Sequence, residues 1–189
     1  HPRCAVRISE VVWLLPRPFQ FEIAGRPVLS LGGAASVDRL LRTEGKDWWP
    51  DERILDDHVE VALRMSADVM ITHEPPASTP IQSAHELFAS NPHNFPDETL
   101  READGSRAQV DRVWNRVKPD VLVHGHLHLY GTGTTKDGRR VVGLNRDVFD
   151  GNVALLDVRT LATEPVPLSL IRRHLPHSPE SITDTQGQL

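Results

Sequence analysis

Three histidines fall within VHGHLH, residues 123–128, directly after a short apolar run. Neutral imidazole is the commonest metal ligand among protein side chains. Side chains two residues apart in an extended chain point the same way, so His124, His126 and His128 could converge on one zinc ion with an open fourth position. The alternative is a strand-end cluster whose members pack or form hydrogen bonds. The spacing alone leaves both interpretations open.

A fourth histidine, His73, follows a second β-branched run, DVMIT at residues 68–72, and precedes Glu-Pro-Pro, which blocks continuation of the strand. A helix ending before Pro119 is predicted by apolar residues at helical spacing, Val110, Val113, Trp114 and Val117. This order predicts an α/β fold in which 68–72 and 120–124 are parallel neighbours. Ligands collect beyond the carboxyl ends of parallel strands, so His73 and the histidine loop are expected to share one site.

The remaining pattern predicts the elements around this centre. Apolar and β-branched runs indicate strands at 11–15, 19–23, 28–33 and, as a closing antiparallel pair, at 139–145 and 152–158. Helical signals occur at 51–65 and 83–90. We predict one domain over residues 1–160 and a polar, disordered tail over 161–189, where the periodicity fades.

Composition narrows the class of protein. The 189 residues include 21 basic and 26 acidic side chains, a formal charge of -5 with no basic block, which gives no indication of nucleic-acid binding. The apolar run at 11–15 is too short for a membrane span or a signal sequence. Cys4 is the only cysteine, so no internal disulfide can form, and a reducing, cytoplasmic setting is expected.

ITHEPP (71–76) followed by VHGHLH (123–128) resembles the last two signature blocks of the calcineurin-like metallophosphoesterases. The stretch LGGAASVDRLLRTEGKDWWPDE (31–52) is similar to the segment that precedes those blocks in a bacterial and phage branch of the family. The resemblance covers residues 28–158. It implies a layered α/β fold, with a mixed β-sheet or sandwich flanked by helices.

The resemblance also implies a function and a ligand set. It implies hydrolysis of phosphate mono- or diesters at a centre of two divalent ions, Mn, Fe, Zn or Mg, where a metal-bound hydroxide attacks phosphorus. His73, His126 and His128 match the family's metal ligands. His124 lies outside the matched positions and is expected to pack or to form a hydrogen bond.

Of the family's earlier blocks, G-D-x-x-D and G-N-H are absent from the 189 residues, and the one D-x-H triplet, DDH at residues 56–58, falls within the helix predicted at 51–65. The expected account is an N-terminally incomplete domain whose first half lies upstream of His1, so that this chain alone is nearly inactive. The alternative is a non-catalytic domain that keeps the scaffold and binds a partner or a single ion. A single-zinc hydrolase using His124, His126 and His128 is a third possibility.

The polar stretch at 34–50 is predicted to be a surface loop with a functional role. Arg39 and Arg42 are candidates to bind substrate phosphate, because guanidinium groups pair well with phosphate oxygens. Trp48 and Trp49 either wall the site or anchor the loop on the sheet. We expect this whole segment to border the histidine cleft.

Overall fold

A six-stranded mixed sheet forms the centre of the computed structural model, which describes residues 4–174. Its strands, in spatial order, are β3 (Phe19–Ile23), β4 (Arg26–Leu31), β5 (Val69–Thr72), β6 (Val121–His124), β8 (Arg140–Gly143) and β7 (Gly131–Thr134). The outer strands β3 and β7 are antiparallel to their neighbours, and the four inner strands are mutually parallel. The predicted α/β class and the parallel pairing of 68–72 with 120–124 are confirmed.

The other elements are short strands and four helices. The strands are β1 (Val6–Arg7) with β2 (Trp13–Leu14), and β9 (Ala154–Leu156) with β10 (Thr163–Pro165). The helices are α1 (Asp56–Ala62), α2 (Gln82–Ser90), α3 (Asp97–Val117) and α4 (Leu168–His174). Single 3-10 turns occur at Arg39–Leu41 and Pro50–Glu52. None of the helices within residues 4–174 has both the length and the apolar character needed to cross a membrane.

Helices cover one face of the central sheet. Alternate residues of each strand point to that face, and their apolar side chains pack against the helices. The main core joins sheet residues to α1 and α3, and its fully buried members include Leu29, Met70, Leu122, Val59, Val110, Val113 and Trp114. Burying apolar side chains of this size stabilises a fold by roughly 1.5–3 kcal/mol each. This core holds the ends of β5 and β6 rigidly beneath the loops that follow them.

The opposite face of the sheet is covered by the β9–β10 pair. Val28, Val69 and Val121 form a second cluster there with Leu161, which lies between the two short strands. The layers are therefore helices, a six-stranded sheet and a two-stranded sheet. In the described part of the chain the sandwich expected from the resemblance is present only in this reduced form.

Several predicted element boundaries and pairings were wrong. Residues 139–145 and 152–158 do not pair: β8 lies between β6 and β7, and β9 pairs with β10. The sequence of β7 is GTGT, which lacks the apolar alternation that indicates a strand. The sequence therefore does not predict β7, and the predicted partner of β8 is wrong.

Other elements differ in length. The helix predicted at 51–65 is only Asp56–Ala62, because Pro50–Glu52 forms a separate turn. The strand predicted at 11–15 is reduced to Trp13–Leu14. Residues 163–165 and 168–174, which the prediction placed in a disordered tail, form β10 and α4, and residues 175–189 lie outside the described residues.

The glycines of β7 allow a loop to pass directly against the strand. A Cβ atom on Gly133 would lie 2.5 Å from the carbonyl carbon and oxygen of Pro80. Gly133→Ala is therefore expected to destabilise the protein by about 1–3 kcal/mol, since the backbone at Pro80 must shift. Urea unfolding measures this change.

Gly105→Ala is the matched control, because Gly105 lies within α3 and has no heavy atom within 4 Å of an added Cβ. This substitution should stabilise the protein by about 0.5–1 kcal/mol through helix propensity. Equal effects of the two substitutions would show that the contact with Pro80 does not restrict β7.

Candidate metal centre

His73 and His126 meet where two neighbouring parallel strands end. His73 directly follows β5, and His126 lies two residues beyond β6. Their ring centroids are 4.9 Å apart at an interplanar angle of 66°, and Nδ1 of His126 lies 3.3 Å from Nε2 of His73. The Gly125 amide donates a hydrogen bond to the His73 carbonyl at 3.2 Å, which holds the two loops together.

The loop after β6 has an unusual backbone conformation. His126 and His128 both adopt left-handed conformations, with φ of 68° and 54°. Each such conformation costs a residue with a side chain roughly 1–2 kcal/mol. Leu127 between them packs against the main core, and both histidines line the cleft. Core packing of Leu127 thus stabilises a turn that presents both imidazoles to the same cavity.

This cleft has a volume of about 1560 Å³. His73, His126 and His128 lie on its wall, so the structure brings the three predicted ligands into one cavity. Four guanidinium groups also line it, those of Arg17, Arg42, Arg107 and Arg146, together with five carboxyl groups, those of Asp38, Asp51, Glu52, Glu86 and Asp104. Such a lining suits ligands that carry negative charge and also metal ions.

Glu74 is the residue of the site that the sequence did not reveal. Its side chain is fully buried, and its Oε2 accepts a hydrogen bond from the Ala35 amide at 3.1 Å. Its Oε1 lies 3.8 Å from Nε2 of His126 and has no hydrogen-bond partner among the described residues. Burial raises the pKa of Glu74 to about 7, although nearby Ser106, the Ala35 amide and Arg107 act to lower it.

Burial lowers the pKa values of His73 and His126. In His73 the proximity of His126 lowers the pKa further, while Glu74 opposes this effect. In His126 the backbone of Ala35 opposes the effect of burial, and His128 adds to it. Both imidazoles are therefore neutral at pH 7, which is the form that binds a metal ion.

His124 does not belong to the cleft. It is 2% exposed and packs against β8, where a Cβ on Gly143 would lie 3.0 Å from its Cε1. Its Nδ1 lies 2.9 Å from the Gly125 carbonyl oxygen, and burial lowers its pKa to about 4. The expected packing role is confirmed, and the three side chains of the single-zinc alternative do not converge.

The two candidate phosphate-binding arginines lie in different places. Arg39 bonds to Glu98 and Glu102 of α3 and lines a neighbouring groove with Trp48. Arg42 lines the histidine cleft and forms two hydrogen bonds with Asp38, of 2.9 and 2.8 Å. Substrate binding by either arginine stays a prediction.

The loop at 34–50 therefore borders two cavities rather than one. Trp49, 48% exposed, lines the histidine cleft together with Gly33, Ala34 and Ser36. Trp48 lies on the neighbouring groove. The expectation that the whole segment borders the histidine cleft holds for Trp49 and for the glycine-rich start of the loop.

The separation of the two imidazoles fits a shared metal ion. Two nitrogens bound to a tetrahedral ion at 2.0–2.1 Å are roughly 3.3–3.4 Å apart, and the nitrogens of His73 and His126 are 3.3 Å apart. The same distance also permits a weak hydrogen bond between the rings. Within residues 4–174, no three histidine, cysteine, aspartate or glutamate side chains already stand in metal-binding geometry. The pair could hold an ion through two nitrogens, and a third side chain would have to move to complete such a site.

Comparisons with known proteins show no family. No protein-family model matches the chain, and no curated protein matches it. Among solved structures, the crystal structure of a 5'-nucleotidase from Candida albicans SC5314 is similar with a TM-score of 0.36 and 14% identity, over 75% of this chain. The matched part is 24% of that protein's length. A likeness at this level assigns neither a family nor an activity.

The buried carboxyl group of Glu74 should make stability depend on pH. Its pKa of about 7 lies above the value of about 4.3 in an unfolded chain, so the folded state binds more protons between these values. Stability contributed by protonated Glu74 is therefore full below about pH 4 and is lost as the pH rises to about 7. Relative to the wild type, Glu74→Gln should gain up to about 3 kcal/mol over this window.

Urea unfolding in EDTA between pH 4.5 and 8 measures this difference. Glu86→Gln is the control, because Glu86 also lines the cleft but is exposed. A stability difference between wild type and Glu74→Gln that stays constant with pH would contradict the assignment of a raised pKa to Glu74.

Proposed function

We propose that this chain carries part of the active site of a metal-dependent phosphoesterase related to the calcineurin-like family. The observation that carries the proposal is the 3.3 Å approach of His73 and His126 at the ends of adjacent parallel strands. His128, on the same cleft wall, is the proposed third ligand. The signature blocks at 71–76 and 123–128 support the family assignment.

The proposed cofactors are two divalent ions, Mn, Fe, Zn or Mg, of which these histidines would hold one. A divalent ion there supplies Lewis-acid stabilisation of the charge that develops on the phosphoryl oxygens. Each imidazole keeps one nitrogen unprotonated at pH 7 because burial lowers the pKa values of His73 and His126. The proposed substrate is a phosphate ester, and no nucleic-acid or membrane partner is proposed.

Arg42 is the proposed contact for substrate phosphate. Its guanidinium faces the cleft and is held by Asp38, and both side chains are partly exposed, 40% and 35%. An exposed ion pair of this kind contributes little stability, so a phosphate group can replace the carboxylate at small cost. Arg39 is a weaker candidate, because two carboxylates of α3 already bind it away from the histidines.

The alternative proposal is a non-catalytic domain that keeps the scaffold. The observation in its favour is the absence of G-D-x-x-D and G-N-H blocks from the 189 residues, since those blocks supply metal ligands in the family. The one D-x-H triplet, at residues 56–58, lies in α1. Both proposals allow one ion to bind at the histidines. They differ in whether phosphate binds beside that ion and whether it is hydrolysed.

Metal binding is the first test. Cobalt titration followed by visible absorption and calorimetry should show one site in the wild-type chain. His73→Ala, His126→Ala and His128→Ala should each weaken binding at least about tenfold, because each removes a ligand. His85→Gln should not, because His85 lies outside the cleft and bonds to the Thr79 carbonyl.

Hydrolysis of an aryl phosphate with Mn²⁺ or Zn²⁺ separates the two proposals. We expect little turnover by this chain alone, since it lacks the family's G-D-x-x-D and G-N-H blocks. Robust turnover that a triple alanine variant at the three histidines abolishes would support the phosphoesterase and contradict the expected inactivity. A wild-type chain that binds no ion, or binds it equally well without these histidines, would overturn the proposed function.

Phosphate binding tests the role of Arg42. In the metal-loaded chain, Arg42→Ala should weaken binding of inorganic phosphate about tenfold, as expected for loss of a charge-assisted hydrogen bond. Arg39→Ala is the matched control and should leave phosphate affinity unchanged, since Arg39 lines the neighbouring groove. Isothermal titration calorimetry measures the phosphate affinity of both variants. Weakened binding in Arg39→Ala with unchanged binding in Arg42→Ala would assign the phosphate contact to Arg39.

A further inference from the structure

We propose that Glu74 is a positioning residue, whose carboxylate accepts the Nε2 proton of His126 and leaves Nδ1 of that ring free to face His73 and a metal ion. The metal part of this inference rests on the proposed function, whereas the protonation pattern of His126 does not. No pattern in the sequence indicates this role. It follows from the position of one buried oxygen atom.

The two nitrogens of His126 face different partners. Nδ1 lies 3.3 Å from Nε2 of His73, and Nε2 lies 3.8 Å from Oε1 of Glu74. A neutral imidazole carries one proton, and the group that contacts one nitrogen determines which form is present. The ionised carboxylate of Glu74 can only accept, so in that form it favours a proton on Nε2. Nδ1 then keeps the lone pair that a metal ion requires.

The carboxyl group of Glu74 cannot turn freely to find another partner. Its Oε2 is held by the Ala35 amide at 3.1 Å, and the side chain is fully buried. Its Oε1 has no hydrogen-bond partner among the described residues. An unsatisfied buried polar atom costs about 1–3 kcal/mol, and more if it is charged. Two nearby donors could satisfy it, the Nε2 proton of His126 and the Ser106 hydroxyl, which is itself buried without a hydrogen-bond partner among the described residues.

The remaining gap is small. A hydrogen bond between these atoms needs about 2.7–3.2 Å, and the present distance is 3.8 Å. A ring displacement of less than about 1 Å closes it. Glu74 is not a ligand for an ion shared with His73, because it contacts the opposite nitrogen of the His126 ring. Carboxylate, histidine and metal ion would then stand in line, an arrangement common in metal sites.

Other groups also surround the His126 ring. Their charges affect the ring, or its charge affects theirs, and they are His73, His124, His128, Arg107, Glu52 and Asp38. The Ala35 backbone also favours a proton on the ring, through its carbonyl group. The test must therefore distinguish the effect of Glu74 on the protonation of His126 from the effect of the Ala35 carbonyl. A substitution at Glu74 does this, because it leaves the Ala35 carbonyl in place.

Glu74→Gln makes a sharp test because the Ala35 amide fixes the orientation of the new side chain. The Ala35 N–H requires an acceptor, so the glutamine oxygen should face Ala35 and its NH₂ group should face Nε2 of His126. The NH₂ group is a donor, so Nε2 must now accept. We therefore expect the substitution to move the proton of His126 from Nε2 to Nδ1. Glu74→Leu should give a mixture of both forms.

Long-range ¹H–¹⁵N spectra of the ¹⁵N-histidine-labelled chain, without metal at pH 8, report the protonated nitrogen. The His126 signals are assigned by their loss in His126→Gln, and Glu86→Gln is the control that should leave them unchanged. Circular dichroism establishes that each variant is folded. His126 signals that are the same in wild type, Glu74→Gln and Glu74→Leu would overturn the proposal, since the Ala35 carbonyl alone would then set the form.

Cobalt affinity gives the second readout. Glu74→Gln should bind Co²⁺ about 10–100-fold more weakly than wild type, because Nδ1 of His126 must first lose its proton. Glu86→Gln should bind as wild type does. A wild-type chain that binds no cobalt contradicts the proposed function, while the NMR result still decides the role of Glu74. Unchanged affinity in Glu74→Gln beside normal wild-type binding overturns the role of Glu74 alone.

Discussion

The parallel pairing of β5 with β6 is the constraint on which the site depends. Val69 pairs with Val121 and Met70 with Leu122, so both strands end at the same level of the sheet. His73 and the loop containing His126 must then leave the sheet side by side, and the Gly125 amide bonds to the His73 carbonyl. A slip of one residue would turn the apolar residues of the slipped strand to the other face of the sheet, so core packing also sets the position of the histidines.

The same packing supports polar groups that are unfavourable by themselves. Glu74 and His124 are both buried, and among the described residues one oxygen of Glu74 and Nε2 of His124 have no hydrogen-bond partner. Burial raises the pKa of Glu74 to about 7 and lowers that of His124 to about 4, so acid favours the fold through the first group and opposes it through the second. These opposing effects partly cancel in the pH dependence of stability between about pH 4 and 7.

Patterned features of the fold were predictable from the sequence, and isolated ones were not. Apolar periodicity indicated β5, α3 and β6, and the parallel order then predicted that His73 and His126 would meet. The GTGT strand β7 carries no such periodicity and was missed. Glu74 was missed because burial of a single acidic residue depends on loops from elsewhere in the chain, here the amide of Ala35. Arg39 and Arg42 have the same residue type and a similar position, and only tertiary contacts separate them.

Arg39 and Arg42 differ in a way that explains how an anion could bind in a cleft that already contains acidic groups. The bonds between Arg39 and two glutamates join the loop to α3, so that guanidinium has a structural role. Arg42 and Asp38 are only four residues apart in the same loop, and their pair is partly exposed. Breaking it releases no other element of the fold, and water can solvate the displaced carboxylate. Asp38 lines the same cleft as the histidines, so the displaced carboxylate would stay on the cleft wall. A phosphate bound by Arg42 would therefore share the cleft with a free carboxylate, so the charge gained from the anion is not balanced by the loss of an acidic group.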